Sequence, residues 1–175
     1  MPYADPGDMG KVAITVRLLR PNEGRTFLEI HSRSIRGLAA AHYPPEVIEA
    51  WSAPITDESL RRFLENRDGE IRLIAELDGE PVGLGALVIA SEELRACYVE
   101  PKAARKGVGT ALVREIERIA EQSGLQRLEL LASVNAESFY TFLGYQADRR
   151  TEHVLGTGVS MAAVKMTKTL CREAG

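Results

Sequence analysis

The chain has 175 residues, of which 45% are hydrophobic and 27% charged, and its formal net charge is −3. This size and composition are typical of one folded domain with its own core, and they exclude disorder, a collagen-like repeat and a disulfide scaffold. The small negative charge excludes a global basic field that would attract nucleic acid. The longest apolar stretch, residues 82–90, has the length of a strand, whereas a membrane span needs about 20 residues.

The composition predicts a short N-terminal tail followed by one domain. Residues 1–10 are rich in Pro, Gly and Asp and lack the apolar core of a signal peptide, so we expect a flexible N-terminal tail and a cytoplasmic protein. Residues 11–171 are predicted to form a single domain. Cys97 and Cys171 are too few for a disulfide framework or a zinc site, and both are expected in the core. We therefore predict no metal.

The first half of the chain predicts one strand and three helices. Alternation over residues 13–19 indicates a half-buried strand, and Asn22 is the expected N-cap of a helix that runs to about residue 41. That helix carries a predicted apolar stripe of Leu28, His31, Ile35 and Leu38. Two short helices are predicted at residues 46–51 and 57–66, the second with Thr56 as its cap.

The second half predicts a sheet with two further helices. Strands are expected at residues 71–77, 81–89, 94–99, 128–132, 146–155 and 159–170, and helices at 105–123 and 136–143. Asp78-Gly79 is a strong hairpin signal, and Gly124 is well placed to end the long helix. This order predicts a mixed α/β sheet with helices packed on it.

A glycine-containing loop, residues 99–110, joins a predicted strand to the long helix. Backbone N–H groups at a helix N-terminus lack intrahelical partners, and Gly107 and Gly109 would let a phosphate approach them, with Arg105 and Lys106 adding charge. A Walker loop requires Gly-Lys before Ser or Thr, and a dinucleotide fingerprint requires Gly or Ala where Leu112 stands. Both alternatives fail, which leaves another phosphate-bearing ligand or a tight turn without a ligand.

Two segments carry a resemblance to a known family. Residues 99–112 resemble the acetyl-CoA-binding segment of the GNAT superfamily of N-acetyltransferases, except that Ala104 stands where the family has Gln or Arg. Residues 128–145, with Asn135-Ala136, Phe139-Tyr140 and Leu143-Gly144-Tyr145, resemble a later strand and helix of the same family. The resemblance implies an α/β (α+β) fold whose central mixed, mostly antiparallel sheet is flanked by helices and splayed at an acetyl-CoA cleft.

The resemblance also implies the residues of the donor site. The N–H of Val99 would hold the thioester carbonyl as a single-donor oxyanion stabiliser, and Asn135 would contact the pantetheine arm or the adenosine side. The amides of the loop would hold the pyrophosphate. The complete set implied for acetyl-CoA binding is Tyr98, Val99, Ala104, Arg105, Lys106, Gly107, Val108, Gly109, Thr110 and Asn135.

Catalysis would involve direct attack of a primary amine on acetyl-CoA in a ternary complex, so neither cysteine is needed as a nucleophile. Tyr140 matches the family's general acid, which protonates the departing thiolate, and Phe139, Phe142 and Leu143 are expected to form the core face of its helix. The general base stays open in the sequence; the candidates are Glu92, Glu93, Glu129 and His31.

The expected acceptor is the amine of a small molecule or a peptide. Its pocket would be built by the first helical segments, with Tyr43 and Trp51, and by the final strands. Arginines such as Arg33 are expected on solvated faces. The alternative function is a non-catalytic acyl-CoA-binding sensor or regulatory module, and a nucleotide-binding protein is a third reading. A homodimer is implied by the family alone, because many members dimerise through their final strands.

Overall fold

The computed structural model of the protein describes residues 12–170, so the predicted tail at residues 1–10 and Cys171 lie outside the described residues. The strands are β1 Ile14–Leu18, β2 Ile71–Leu77, β3 Glu80–Val88, β4 Glu93–Val99, β5 Arg127–Ser133, β6 Gln146–Val154 and β7 Ser160–Thr169. The α-helices are α1 Gly24–Ser34, α2 Pro45–Trp51, α3 Asp57–Glu65, α4 Val108–Gln122 and α5 Glu137–Phe142. A π-helical segment, Ile35–Ala39, continues α1, and a 3₁₀ turn, Pro101–Ala103, follows β4.

All seven strands form one sheet in the order β1-β2-β3-β4-β5-β7-β6. Every neighbouring pair is antiparallel except β4 and β5, which are parallel. The prediction of a mixed, mostly antiparallel sheet flanked by helices is therefore confirmed. The β4–β5 ladder contains a single register pair, Glu93 with Glu129, at the beginning of β4.

Local sequence signals fix several turns and caps. Asp78 and Gly79 both have positive φ, 51° and 83°, as a two-residue hairpin turn requires. Thr56 caps α3 in a reciprocal capping box with Ser59. Gly124, at φ 86°, ends α4, and the N–H of the following residue returns to the carbonyl of Ala120. These three predictions are confirmed.

The start of α1 differs from the prediction. The helix begins at Gly24 with Glu23 at the N-cap position, and no side chain caps it, so the expected cap at Asn22 is wrong. The Glu23 carboxylate instead accepts hydrogen bonds from the Arg20 N–H and from the Arg17 guanidinium. These contacts close the turn before the helix and lower the pKa of Glu23 to about 2.

The buried face of α1 is also rotated relative to the predicted stripe. Phe27 and Ile30 are buried, whereas Leu28 and His31 are only half-buried. Of the predicted positions only Ile35 is fully buried, and Leu38 is exposed. The wider turn of the π-helical segment changes the spacing of buried positions, so a regular 3.6-residue period gives the wrong face here.

Helices cover the two faces of the sheet unequally. On one face α4 packs over β1 to β4 and contributes Leu112 and Ile116 to the main core. On the other face α1 packs over β3 and β4, while α2 and the π-helical segment contact the β6–β7 end. Tyr140 in α5 and Leu143 directly after it are buried, but Phe142 is 84% exposed, so its predicted place in the core is wrong. The short helix has room for only one buried face.

Candidate functional site

Two adjoining cavities lie along β4 and β5. The larger, of about 620 Å³, is bordered by the glycine loop, the π-helical segment and the β5–α5 connection. The smaller, of about 330 Å³, is bordered by β4, β5, β6 and β7. Trp51, Cys97, Tyr98 and Ser133 touch both cavities, so the two meet at the last residues of β4 and β5.

The floor of the larger cavity is the beginning of α4. Gly107 occupies the N-cap position with φ 89°, and no side chain caps the helix. The N–H groups of Val108, Gly109 and Thr110 therefore lack intrahelical acceptors, and they sit at the positive end of the helix dipole. This is the geometry that accepts an anionic phosphate without a Cβ in the way.

The two glycines of the loop serve different physical needs. Gly107 is required by its left-handed backbone and not by a lack of space. A Cβ there would lie 3.6 Å from Ile14, which is an ordinary contact distance. Gly109 has helical geometry, but a Cβ there would lie 3.1 Å from the ring of Phe139. The second glycine thus allows α5 to pack closely against the start of α4.

Most of the donor-site residues implied by the sequence line the larger cavity. They are Tyr98, Val99, Ala104, Arg105, Gly107, Gly109, Thr110 and Asn135. Two do not line it: the side chain of Val108 is buried in the main core, and Lys106 is exposed outside the cavity lining. Any part of Val108 in binding is therefore limited to its backbone N–H.

The register of β3 and β4 fixes the direction of the Val99 backbone. Gly83 lies opposite Val99, and the N–H of the next residue, Glu100, donates to the Val82 carbonyl at 2.8 Å. Bonded and non-bonded pairs alternate along an antiparallel ladder, so Val99 belongs to a non-bonded pair. Its N–H is consequently directed away from β3, toward the β5 side, where the two cavities meet.

Asn135 lines the larger cavity and has one buried polar atom without a hydrogen-bond partner. Its Oδ1 is buried and accepts no hydrogen bond from any described residue. A buried amide oxygen without a donor costs about 1–3 kcal/mol. An N–H donor from a ligand in the cavity would remove this cost, and the amides of a pantetheine arm are donors of that kind.

Tyr140 lines the smaller cavity and is 6% exposed. Burial, followed by the nearby Cys97 and Tyr98, raises its pKa well above the ordinary value of a tyrosine, so the phenol holds its proton firmly. Burial likewise raises the pKa of Cys97 to about 12, which keeps that thiol protonated and a poor nucleophile. Both groups are thus neutral beside the smaller cavity.

The four candidate bases lie in different places. His31 packs edge-on against Tyr98, with ring centroids 4.6 Å apart, and burial lowers its pKa to about 4; it lines neither cavity. Glu92 pairs with Arg127 at 2.8 Å outside both. Glu129 borders an outer depression that Glu93 also lines, and it pairs with Lys165 at 3.3 Å. Glu93 shares the smaller cavity with Tyr140, and its carboxylate is 2.8 Å from the Arg95 guanidinium.

Sequence reasoning missed two residues of the smaller cavity on the last two strands. His153 and Met161 are register partners on β6 and β7, and both line it. The alternation of residues along β6 would have placed His153 on this face if the neighbouring strand had been known. His153 thereby brings an imidazole to the wall opposite β4.

Arg33 lies on a solvated face as predicted, with its side chain 53% exposed. It reaches Glu100, directly after β4, at 2.6 Å, and Glu100 is 4% exposed. A buried carboxylate requires a charged partner, and Lys102 supplies a second one at 3.5 Å. The pair therefore ties α1 to the beginning of the glycine loop.

Comparison with known proteins places this geometry in a family. Residues 39–170 match the acetyltransferase (GNAT) domain. A curated, uncharacterised N-acetyltransferase of Methanocaldococcus jannaschii is 26% identical over an alignment of 144 residues that covers 75% of this chain. The chain spans 60% of the length of that relative.

Solved structures agree with the family match. A GCN5-related N-acetyltransferase from Rhodopseudomonas palustris superposes with a TM-score of 0.81 at 31% identity, covering 89% of this chain and 95% of that one. The PaiA N-acetyltransferase from Thermoplasma acidophilum, solved with coenzyme A, superposes at 0.69 with 23% identity over 90% and 99% of the two chains. The second likeness concerns the fold alone. The protein belongs to the GNAT acetyltransferase family, as the two sequence segments predicted.

Residues 12–170 offer neither a membrane-spanning helix nor a cluster of metal ligands. No helix in this part of the chain is long and apolar enough to cross a membrane. Within the same range, no group of three or more His, Cys, Asp or Glu side chains is arranged to hold a metal ion.

Proposed function

We propose that this protein is an N-acetyltransferase that moves an acetyl group from acetyl-CoA directly to a primary amine of a small molecule or peptide. One observation carries the proposal: an uncapped helix start at Gly107 lines a cavity that meets a second cavity at the ends of β4 and β5. Donor and acceptor can then enter from opposite sides and react where the cavities join.

The larger cavity fits acetyl-CoA. The amides from Arg105 to Thr110 would hold the pyrophosphate, and the orphaned Oδ1 of Asn135 would accept a hydrogen bond from the pantetheine arm. The Val99 N–H, directed toward the β5 side, would donate to the thioester oxygen as negative charge develops on it. Acetyl-CoA supplies the acetyl group as a reactive thioester, so the chain itself needs no nucleophile.

The smaller cavity fits the acceptor amine. An alkyl amine with a pKa near 10.4 is mostly protonated at pH 7, and its deprotonation costs about 4–5 kcal/mol. Among the four candidate bases, Glu93 shares this cavity with Tyr140, which supports Glu93 as the group that receives the proton through water. Arg95 holds the carboxylate in place at 2.8 Å.

Tyr140 would stabilise the departing thiolate. A phenol near its ordinary pKa of 10 gives a proton to a thiolate near 8.5 at a cost of about 2 kcal/mol, and burial raises the cost further. A hydrogen bond from the Tyr140 hydroxyl to the thiolate sulfur demands no full transfer. We therefore infer that Tyr140 acts chiefly as a hydrogen-bond donor, with solvent supplying the final proton.

The test is release of free CoA from acetyl-CoA in the presence of a panel of amines, with thiol detection as the readout. The panel contains polyamines, free amino acids, and peptides with a free N-terminus or a lysine. Amine-dependent release of CoA together with an acetylated product by mass spectrometry is expected. Tight acetyl-CoA binding without turnover on any amine would favour the non-catalytic sensor. The homodimer, which only the family resemblance implies, stays a prediction.

A further inference from the structure

Tyr43, in the segment between the π-helix and α2, reaches across to two strands of the sheet. Its hydroxyl accepts a hydrogen bond from the Val134 N–H at 2.8 Å and donates one to the Ala162 carbonyl at 2.6 Å. The side chain is 8% exposed. A single hydroxyl thus connects the end of β5 to β7.

The register shows what this hydroxyl replaces. In the β5–β7 ladder Ser133 lies opposite Ala163, and the Leu170 N–H donates to the Gln126 carbonyl at the far end. Bonded pairs recur at every second residue of an antiparallel ladder. Counting from Gln126, the first pair beyond the end of β5 that should be hydrogen-bonded is Val134 with Ala162. The Tyr43 hydroxyl lies between the N–H of Val134 and the carbonyl of Ala162.

The insertion separates the strands by a definite amount. With hydrogen bonds of 2.8 and 2.6 Å meeting at about 110° on the oxygen, the Val134 nitrogen and the Ala162 oxygen lie about 4.4 Å apart. A direct bond would draw them to about 2.9 Å. Removal of the hydroxyl therefore allows the end of β5 to move by more than 1 Å.

The residue after Val134 is Asn135, which lines the larger cavity and whose Oδ1 is buried without a hydrogen-bond donor among the described residues. The ring of Tyr43 also packs against Trp51, at 5.7 Å between centroids, and Trp51 touches both cavities. We propose that Tyr43 is a positioning residue: its hydroxyl acts as a wedge that keeps β5 and β7 apart and holds Asn135 where it binds acetyl-CoA. This inference rests on the proposed function.

A double-mutant cycle on acetyl-CoA affinity tests the wedge, with Kd measured by calorimetry so that no acceptor needs to be known. Tyr43→Phe alone should raise Kd about five- to tenfold, the effect of one misplaced hydrogen bond. In the Asn135→Ala background the same change should raise Kd less than twofold, because the group that Tyr43 positions is already gone. Equal effects in both backgrounds would overturn the proposal.

A control and a second measurement keep the outcomes distinct. Tyr145→Phe removes another buried tyrosine hydroxyl, which has no hydrogen-bond partner among the described residues and lies near Glu117 of α4, and it should leave Kd within twofold. In the unmutated protein the Val134 amide should exchange slowly with solvent, as its bond to Tyr43 requires. Rapid exchange would overturn the wedge even if Tyr43→Phe fails to fold. If the unmutated protein binds no acetyl-CoA, the proposed function fails first and this role of Tyr43 fails with it.

Discussion

Replacement of Gly107 by alanine tests the backbone geometry of the glycine loop without disturbing side-chain packing. The residue has φ 89°, and a Cβ there would make only ordinary contact with Ile14 at 3.6 Å. The whole perturbation is therefore the strain of holding alanine in a left-handed conformation. That strain is about 1–2 kcal/mol.

The structure supplies a matched control at the opposite end of the same helix. Gly124 has φ 86°, and a Cβ there would meet nothing within 4 Å. Gly107→Ala and Gly124→Ala should destabilise the protein equally, and each should lower the melting temperature by roughly 2–8 °C for a chain of this size. The two variants differ only in their distance from the larger cavity.

Acetyl-CoA affinity should distinguish the two variants. Relaxation of the strain at Gly107 rotates the N–H groups at the start of α4, and loss of one hydrogen bond to a charged phosphate weakens binding by about tenfold or more. Calorimetry should therefore show a Kd raised about tenfold in Gly107→Ala and unchanged in Gly124→Ala. Equal Kd values in the two variants would refute the assignment of this loop to the pyrophosphate.

Three further predictions concern the reaction and the pH dependence of stability. Tyr140→Phe should lower kcat at least tenfold and leave the acetyl-CoA Kd within twofold; unchanged turnover would remove Tyr140 from the mechanism. Glu93→Gln should lower kcat at least tenfold, whereas Glu129→Gln, at its register partner on β5, should leave kcat within twofold; unchanged turnover in Glu93→Gln would exclude Glu93 as proton acceptor. His31 has a folded pKa of about 4 against about 6.5 when unfolded, so the unfolded chain binds more protons and stability falls as pH drops from 6.5 to 4. In urea titrations at each pH, His31→Phe should remove up to about 3 kcal/mol of the loss in unfolding free energy between pH 6.5 and pH 4. An unaltered pH dependence would contradict the burial of a neutral imidazole.

The parts of the fold that the sequence predicts well are those governed by local chemistry. Asp78-Gly79 demands positive φ at two successive residues, and Thr56 offers an oxygen to the first N–H groups of α3, so both sites are fixed within four residues of chain. The regular apolar face of α4 is equally local. The mixed, mostly antiparallel character of the sheet required more, and it followed from the family resemblance of the loop and of residues 128–145.

The parts that sequence reasoning missed depend on distant partners. The buried face of α1 follows from a π-helical segment whose Gly37 backbone packs against Pro101, since a Cβ at Gly37 would overlap the proline ring. Arg33 is a surface arginine as predicted, but its pairing with the buried Glu100 follows only from the fold. His153 joins the site only because β6 pairs with β7 across from β4 and β5. No local pattern encodes these contacts.

The central claim is that the cavity at the start of α4 binds acetyl-CoA. Thermal unfolding with acetyl-CoA, and with ATP and NAD as controls, tests it most directly. Ligand at about 100 times its Kd adds about 2.7 kcal/mol, which should raise the melting temperature by roughly 5–10 °C. We expect that shift with acetyl-CoA alone. No shift with acetyl-CoA, or a larger shift with ATP or NAD, would contradict the account.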